Sequence, residues 1–162
     1  MKFSRVATYI FLDCCVRMAD VHTKEIRSYN MSRIRGKNTK PEMLVRRFLH
    51  ANGFRYRIHV KEFPGKPDIV LPKYKTVIFI QGCFWHGHNQ CKYYVIPKTK
   101  GEWWISKING TKTKDRINIE VLKEANWNVV EIWECELKPK NKEITLTNLL
   151  RLLKFESTIN AR

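Results

Sequence analysis

Residues 78–91 read IFIQGCFWHGHNQC, and the fold turns on how they are read. The apolar run 77–80 suits a buried strand, but it stops at Gln81-Gly82. Cys83, His86, His88 and Cys91 follow, with Phe84 and Trp85 between them. A strand normally ends in a short polar turn. Thiols and imidazoles in its place point to a loop that holds a metal, and the bare rings point to something the loop presents.

Zinc takes four soft or borderline donors in a tetrahedron, often two from one loop and the rest from elsewhere. The stretch WNVVEIWEC, residues 127–135, supplies a second apolar strand ending near Trp133, with Cys135 just beyond it. If the two strands are neighbours, their C-terminal ends meet and Cys135 reaches the loop. The expected closed site is Cys83, Cys91, Cys135 and one imidazole. Spacing leaves open whether that imidazole belongs to His88 or His86. The five cysteines include the adjacent pair Cys14-Cys15 and make a poor disulfide framework, so a reducing compartment fits better. A rigid loop can hold Phe84 and Trp85 against base pairs, and WWISKI at 103–108 adds Trp103 or Trp104. Trp127 and Trp133 are expected in the core.

Upstream, FPGKPDIV at 63–70 places Asp68 at the start of a strand, directly after a turn. A carboxylate there, beside the end of the neighbouring strand at Ile80-Gln81, can hold Mg²⁺ against a phosphodiester. Aspartate is also common in turns, so the motif alone is weak. Glu42 and His86 are the candidates to assist by ordering water and moving its proton. Glu42 has a rival reading, because TKPE at 39–42 is a helix start with Thr39 as N-cap and Glu42 at the capping-box position.

The remaining chain reads as a short basic helix over 23–34, a helix from Thr39 to a stop at Gly53, and a half-exposed strand at 54–60. A strand at 68–72 and the buried strand at 76–80 follow. Residues 101–126 have a helical pattern in two pieces split near Asn109-Gly110. The strand at 129–133 and an amphipathic helix over 144–155 complete it. The order implies an α/β fold, a central mixed β-sheet with helices on both faces. At 162 residues it is one domain over 18–162, with 18–38 as its N-terminal segment. Residues 1–17 look faintly like a signal peptide but lack a small-residue cleavage site. Met18 opens a more ordinary start, so 1–17 are expected outside the fold. The 31 Lys+Arg against 15 Asp+Glu give a net charge of +16, which favours a polyanion partner through counterion release. No apolar run approaches a membrane span.

Taken together, these residues resemble the very short patch repair (Vsr) endonuclease family of the PD-(D/E)xK, restriction-endonuclease-like nucleases. The landmarks are MADVHTKEIRSYNM at 18–31, PGKPDIV, VIFIQGCFWHGH, WWISKI and IWECEL at 132–137. The resemblance covers about residues 18–137. It implies a Mg²⁺-dependent enzyme that nicks double-stranded DNA 5′ to a thymine mispaired with guanine, left by deamination of 5-methylcytosine. It also implies a cytoplasmic monomer, with a DNA cytosine methyltransferase and mismatch-repair proteins as partners. By position, Asp68 matches the Mg²⁺-binding aspartate, Ile80 the residue lending it a backbone carbonyl, His86 the catalytic histidine and Glu42 the assisting acid. Cys83, His88, Cys91 and Cys135 match the structural zinc ligands. Phe84, Trp85 and Trp104 match an aromatic wedge, Met31 a minor-groove insertion and Lys107 a mismatch contact. Gln81 departs from a histidine in the family pattern and Thr111 from an asparagine. The His88-to-Cys91 spacing is wider than in the shortest family form, and 1–17 have no counterpart. Rival readings are a restriction-type endonuclease of the same superfamily and a zinc-stabilised DNA-binding module without catalysis.

Overall fold

The computed structural model describes residues 17–18, 22–34 and 36–159. The expectation for residues 1–17 falls, apart from Arg17, outside the described residues. The described elements are β1 (Arg17–Met18), α1 (Lys24–Ser32), α2 (Lys40–Ala51), β2 (Ile69–Leu71), β3 (Thr76–Gln81), β4 (Val95–Ile96), α3 (Gly101–Glu124), β5 (Asn128–Trp133) and α4 (Lys142–Ile159). The central sheet is ordered β2-β3-β5, and β1 pairs separately with β4. β2 runs antiparallel to β3, and β5 runs parallel to it. The sheet is therefore mixed, as expected.

Strand periodicity divides its side chains between two layers. Ile69, Leu71, Ile78, Ile80, Val130 and Ile132 face Val45 and Leu49 of α2 and Leu146, Leu149 and Leu153 of α4. Val70, Val77, Phe79 and Val129 face Leu122 of α3, with Phe63 and Trp127. Because the positions from Ile69 to Leu71 and from Val77 to Ile80 are apolar on both faces of the sheet, both faces can be covered, and helices lie on each side. A leucine enclosed like Leu49 or Leu153 resists truncation by about 2–5 kcal/mol.

Two local expectations are corrected. Residues 54–60 do not form a strand: their bridge to the sheet is Arg57 with Val70, and His59 has a left-handed φ of 56°, which ends the extended run. α3 is one continuous helix of 24 residues rather than two pieces. A glycine inside a helix costs about 1 kcal/mol, and Gly110 lies on an open face. Burial of Ile108 on one side of it and Leu122 on the other keeps the helix whole.

The helix start at Thr39 is as read from sequence. The Thr39 hydroxyl accepts from the Glu42 N–H, and the Glu42 carboxylate in turn accepts from the Thr39 hydroxyl at 2.8 Å and the Asn38 N–H at 2.9 Å. A cap of this kind is worth about 1 kcal/mol.

Candidate active site and metal cluster

β2 begins just after Asp68, and its antiparallel pairing sets Ile69 opposite Ile78. Asp68 therefore lies beside the end of β3. Its N–H donates to the Ile78 carbonyl at 3.1 Å, and its Oδ2 accepts from the Ile80 N–H at 2.7 Å. The preceding turn passes through Gly65 at φ 71° and Lys66 at φ 53°. Glycine is needed at the first of these, since a Cβ there would also meet the Phe79 ring at 3.1 Å.

Burial holds the Asp68 carboxyl above the usual carboxylate range. The Ile80 hydrogen bond opposes that rise, the Glu42 charge adds to it, and Arg46 and His86 pull it down. A cleft of about 860 Å³ opens here, and Asp68, Ile80, Glu42, Gln81, Trp85 and His86 all line it. The three candidates for acid chemistry, Asp68, Glu42 and His86, thus share one cavity. Glu42 is buried, and both of its oxygens already accept protein hydrogen bonds, including one from Arg46 at 2.9 Å. It serves the capping role at the same time as it faces the cleft.

His86 has a partner that the sequence reading missed. Its Nδ1 lies 2.7 Å from Asp115 Oδ2, from the middle of α3. A carboxylate accepts, so this contact suits the tautomer in which Nδ1 donates to Asp115 and Nε2 is the ring nitrogen not used by it. Nothing local marks Asp115, which sits in a helix among charged neighbours. Arg46 is likewise unmarked by the sequence, one of two adjacent basic residues on α2.

Parallel pairing of β3 with β5 sets Gln81 opposite Trp133. Two residues further along each chain stand Cys83 and Cys135. The ligand atoms of Cys83, His88, Cys91 and Cys135 all lie within 4.8 Å of one another. His88 Nδ1 is 3.4 Å from Cys135 Sγ, and its ring stacks on Trp133 at 4.0 Å between centroids. Trp133 is thus half-buried against the cluster rather than simply core, whereas Trp127 packs into the core as read. Burial pushes the Cys83 thiol up to about 12 and the Cys135 thiol upward, and pushes the His88 imidazole down. Three sulfurs and one neutral imidazole converging in this way fit a soft, tetrahedral cation. His86 points to Asp115 instead, which separates the two imidazoles geometrically. Gly87 lies between them at φ 61°, and a Cβ there would stand 2.7 Å from Ile108 Cγ2 of α3.

The rings form one cluster. Phe84 meets Trp85 at 5.1 Å and Trp104 at 5.2 Å between centroids, and Trp103 meets Trp104 at 4.8 Å. The Lys107 ammonium lies 4.8 Å from the Trp103 ring and 5.4 Å from that of Trp104. Trp103 and Lys107 are exposed, whereas Phe84, Trp85 and Trp104 are half-buried. Met31 is exposed on α1, a helix with no buried residue. Thr111 donates to the Lys107 carbonyl, and Gln81 is buried in the cleft wall.

Sheet, acidic cleft and Cys/His cluster together define the class: a nuclease-like α/β protein with a cluster able to hold a metal. The model of the family described as DNA mismatch endonuclease Vsr matches residues 19–93. The chain is 48% identical over 137 residues to the type II nicking enzyme V.NmeAIP of Neisseria meningitidis, covering 85% of this chain and 96% of the relative. It is 41% identical to the type II nicking enzyme V.XorIIP of Xanthomonas oryzae, covering 82% and 98%. It is 40% identical to the DNA mismatch endonuclease Vsr of Escherichia coli, covering 77% and 80%. The chain belongs to the Vsr DNA mismatch endonuclease family, and it is an endonuclease acting on DNA. No helix among the described residues is long and apolar enough to cross a membrane.

Proposed function

We propose that this endonuclease nicks double-stranded DNA 5′ to a thymine mispaired with guanine, with Mg²⁺ at Asp68 and a structural Zn²⁺ in the Cys/His cluster. The observation that carries the reading is continuity. The cleft holding Asp68 and His86 is walled by Trp85, and Trp85 belongs to the ring cluster with Phe84 and Trp104. A wedge and a phosphate site so joined act on adjacent parts of one duplex.

A T:G wobble is easier to unstack than a Watson–Crick pair, so rings pressed into the stack select it energetically. Phe84, Trp85 and Trp104 enter from the major-groove side, Met31 from the minor groove, and Lys107 contacts the mismatch. Residues 18–38 act as a DNA-contacting segment of a single domain over 18–162, with 1–17 outside its core. Lys40 and Lys66, which line the cleft, draw in the phosphate backbone. Asp68 and the Ile80 backbone carbonyl would hold Mg²⁺, which supplies charge stabilisation at the phosphate and acidifies water. His86, oriented through Asp115, keeps Nε2 free to take or give a proton at the scissile phosphate. Gln81 cannot exchange a proton, so this work falls to His86 together with the water that Mg²⁺ would acidify. Glu42 assists by ordering water at the cleft wall. The zinc ligands Cys83, His88, Cys91 and Cys135 stiffen the loop that carries both the rings and His86. A monomer in the cytoplasm, working with a cytosine methyltransferase and mismatch-repair proteins, suits this chemistry.

The test is cleavage of end-labelled duplexes containing T:G, T:A or unmethylated C:G at one position. The expected result is a single-strand break 5′ to the mispaired thymine, lost in EDTA and restored by Mg²⁺. Double-strand cleavage of the perfectly paired duplexes would instead mark a restriction-type enzyme.

A further inference from the structure

Arg46 is almost completely buried on α2, and its guanidinium ties together three parts of the chain. One terminal nitrogen donates to Asn38 Oδ1 at 2.6 Å. The other donates to Glu42 Oε2 at 2.9 Å and to the Asp68 backbone carbonyl at 3.3 Å. Nε is buried with no hydrogen-bond partner. Burying a cation with one donor unpaired is a poor way to gain stability, since an apolar side chain of similar volume would often stabilise the same contact as well or better. What a guanidinium adds is a rigid fork that fixes the angle between the groups it bonds.

Two of those groups frame the cleft. Glu42 and Asp68 stand on its wall, from α2 and from the start of β2. Asn38 sits at the junction between the N-terminal segment and α2, in a left-handed conformation at φ 53°. Its N–H is held by Glu42 and its side chain by Arg46. Apart from this fork, Asp68 is fixed by hydrogen bonds to β3 alone among those identified.

We propose that Arg46 is a positioning residue: it sets the Asp68 carboxylate against the Glu42 wall and couples that geometry to the Asn38 junction of the N-terminal segment. The proposal rests on the reading of Asp68 as a catalytic carboxylate. Displacing a reacting group by about 1 Å costs up to ~10²-fold in rate, with little change in substrate binding.

The test uses ¹⁵N-labelled protein that keeps its zinc and has no Mg²⁺ added, together with nicking kinetics run with Mg²⁺. The Ile80 amide, bonded to Asp68 at 2.7 Å, is the spectroscopic reporter. In Arg46→Met its proton resonance should move upfield, and kcat on the mismatched duplex should fall about 10- to 100-fold with KM within about threefold. Arg46→Lys keeps the charge without the fork, and it should shift the resonance in the same direction with a smaller loss of kcat. Leu153→Ala, a core truncation on α4, is the control: it should lower Tm while leaving the Ile80 resonance and kcat in place. If Arg46→Met does not fold, the lysine variant decides the matter. An unmoved Ile80 resonance in a folded Arg46 variant, or a loss of kcat matched by Leu153→Ala, overturns the proposal. Undiminished nicking by Asp68→Asn would overturn the catalytic reading instead, while the Ile80 resonance would still show whether Arg46 places that carboxylate.

Discussion

The Cys/His cluster takes Cys83, His88 and Cys91 from one loop and adds Cys135 from the end of the adjoining strand. The acidic cleft draws Glu42, Asp68 and His86 from α2, the edge of β2 and the loop after β3, and each is held by a protein partner. The cluster's donors face mainly one another, and burial raises the thiols of Cys83 and Cys135. They gain a full set of strong interactions only around a cation. The cleft's groups have their geometry before any ion or substrate arrives. On the proposed reading one site contributes mostly to folding and the other mostly to reactivity, although both grow from the end of β3.

That contrast is broken most decisively at Asp68. Asp68→Asn should reduce nicking on the order of 10³-fold, as losses of groups stabilising transition-state charge do. The same change should raise Tm of the zinc-loaded protein without Mg²⁺ at neutral pH. The sign follows from the raised carboxyl: the folded state holds this proton better than the unfolded chain. Its contribution to stability is fully present below the unfolded value and is lost as pH rises through the folded one. The Tm advantage of Asp68→Asn should accordingly disappear in strong acid. Thermal melts across pH, read beside nicking rates, check both halves.

The opposite pattern is expected at the cluster. Cys83→Ser should lose about one equivalent of zinc by elemental analysis and lower Tm by about 10 °C or more. Activity should fall at least as far as the folded fraction does, because the same loop carries His86. A variant that keeps its metal and its Tm would remove the cluster from the folding side of the comparison.

The smallest effect tests the hinge between the two regions. Gly87→Ala places a Cβ against Ile108 and Lys112 in a left-handed backbone. It should cost about 1–2 kcal/mol and weaken both zinc retention and nicking by a few-fold. Zinc competition with a chelator, run beside nicking rates, would show whether the two regions move together.

Residue types and spacing marked a Cys/His cluster but left its imidazole open between His86 and His88; they were enough to reveal the buried strand at β3, the capped start of α2 and the turn before Asp68. Each of these lies within one element or one turn, where local sterics and periodicity act directly. The partner of His86 lies 29 residues away and that of His88 47 residues away. Choosing Asp115 for His86 depends on how α3 crosses the loop, and bringing Cys135 to His88 depends on the parallel register of β3 and β5. Arg46 looked like any surface cation until packing buried it. Residues 54–60 had a strand's alternation, yet the sheet accepts them only at Arg57. Alternation specifies a face, but hydrogen-bond partners must be supplied by a neighbour, and only the assembled fold determines which neighbour is there.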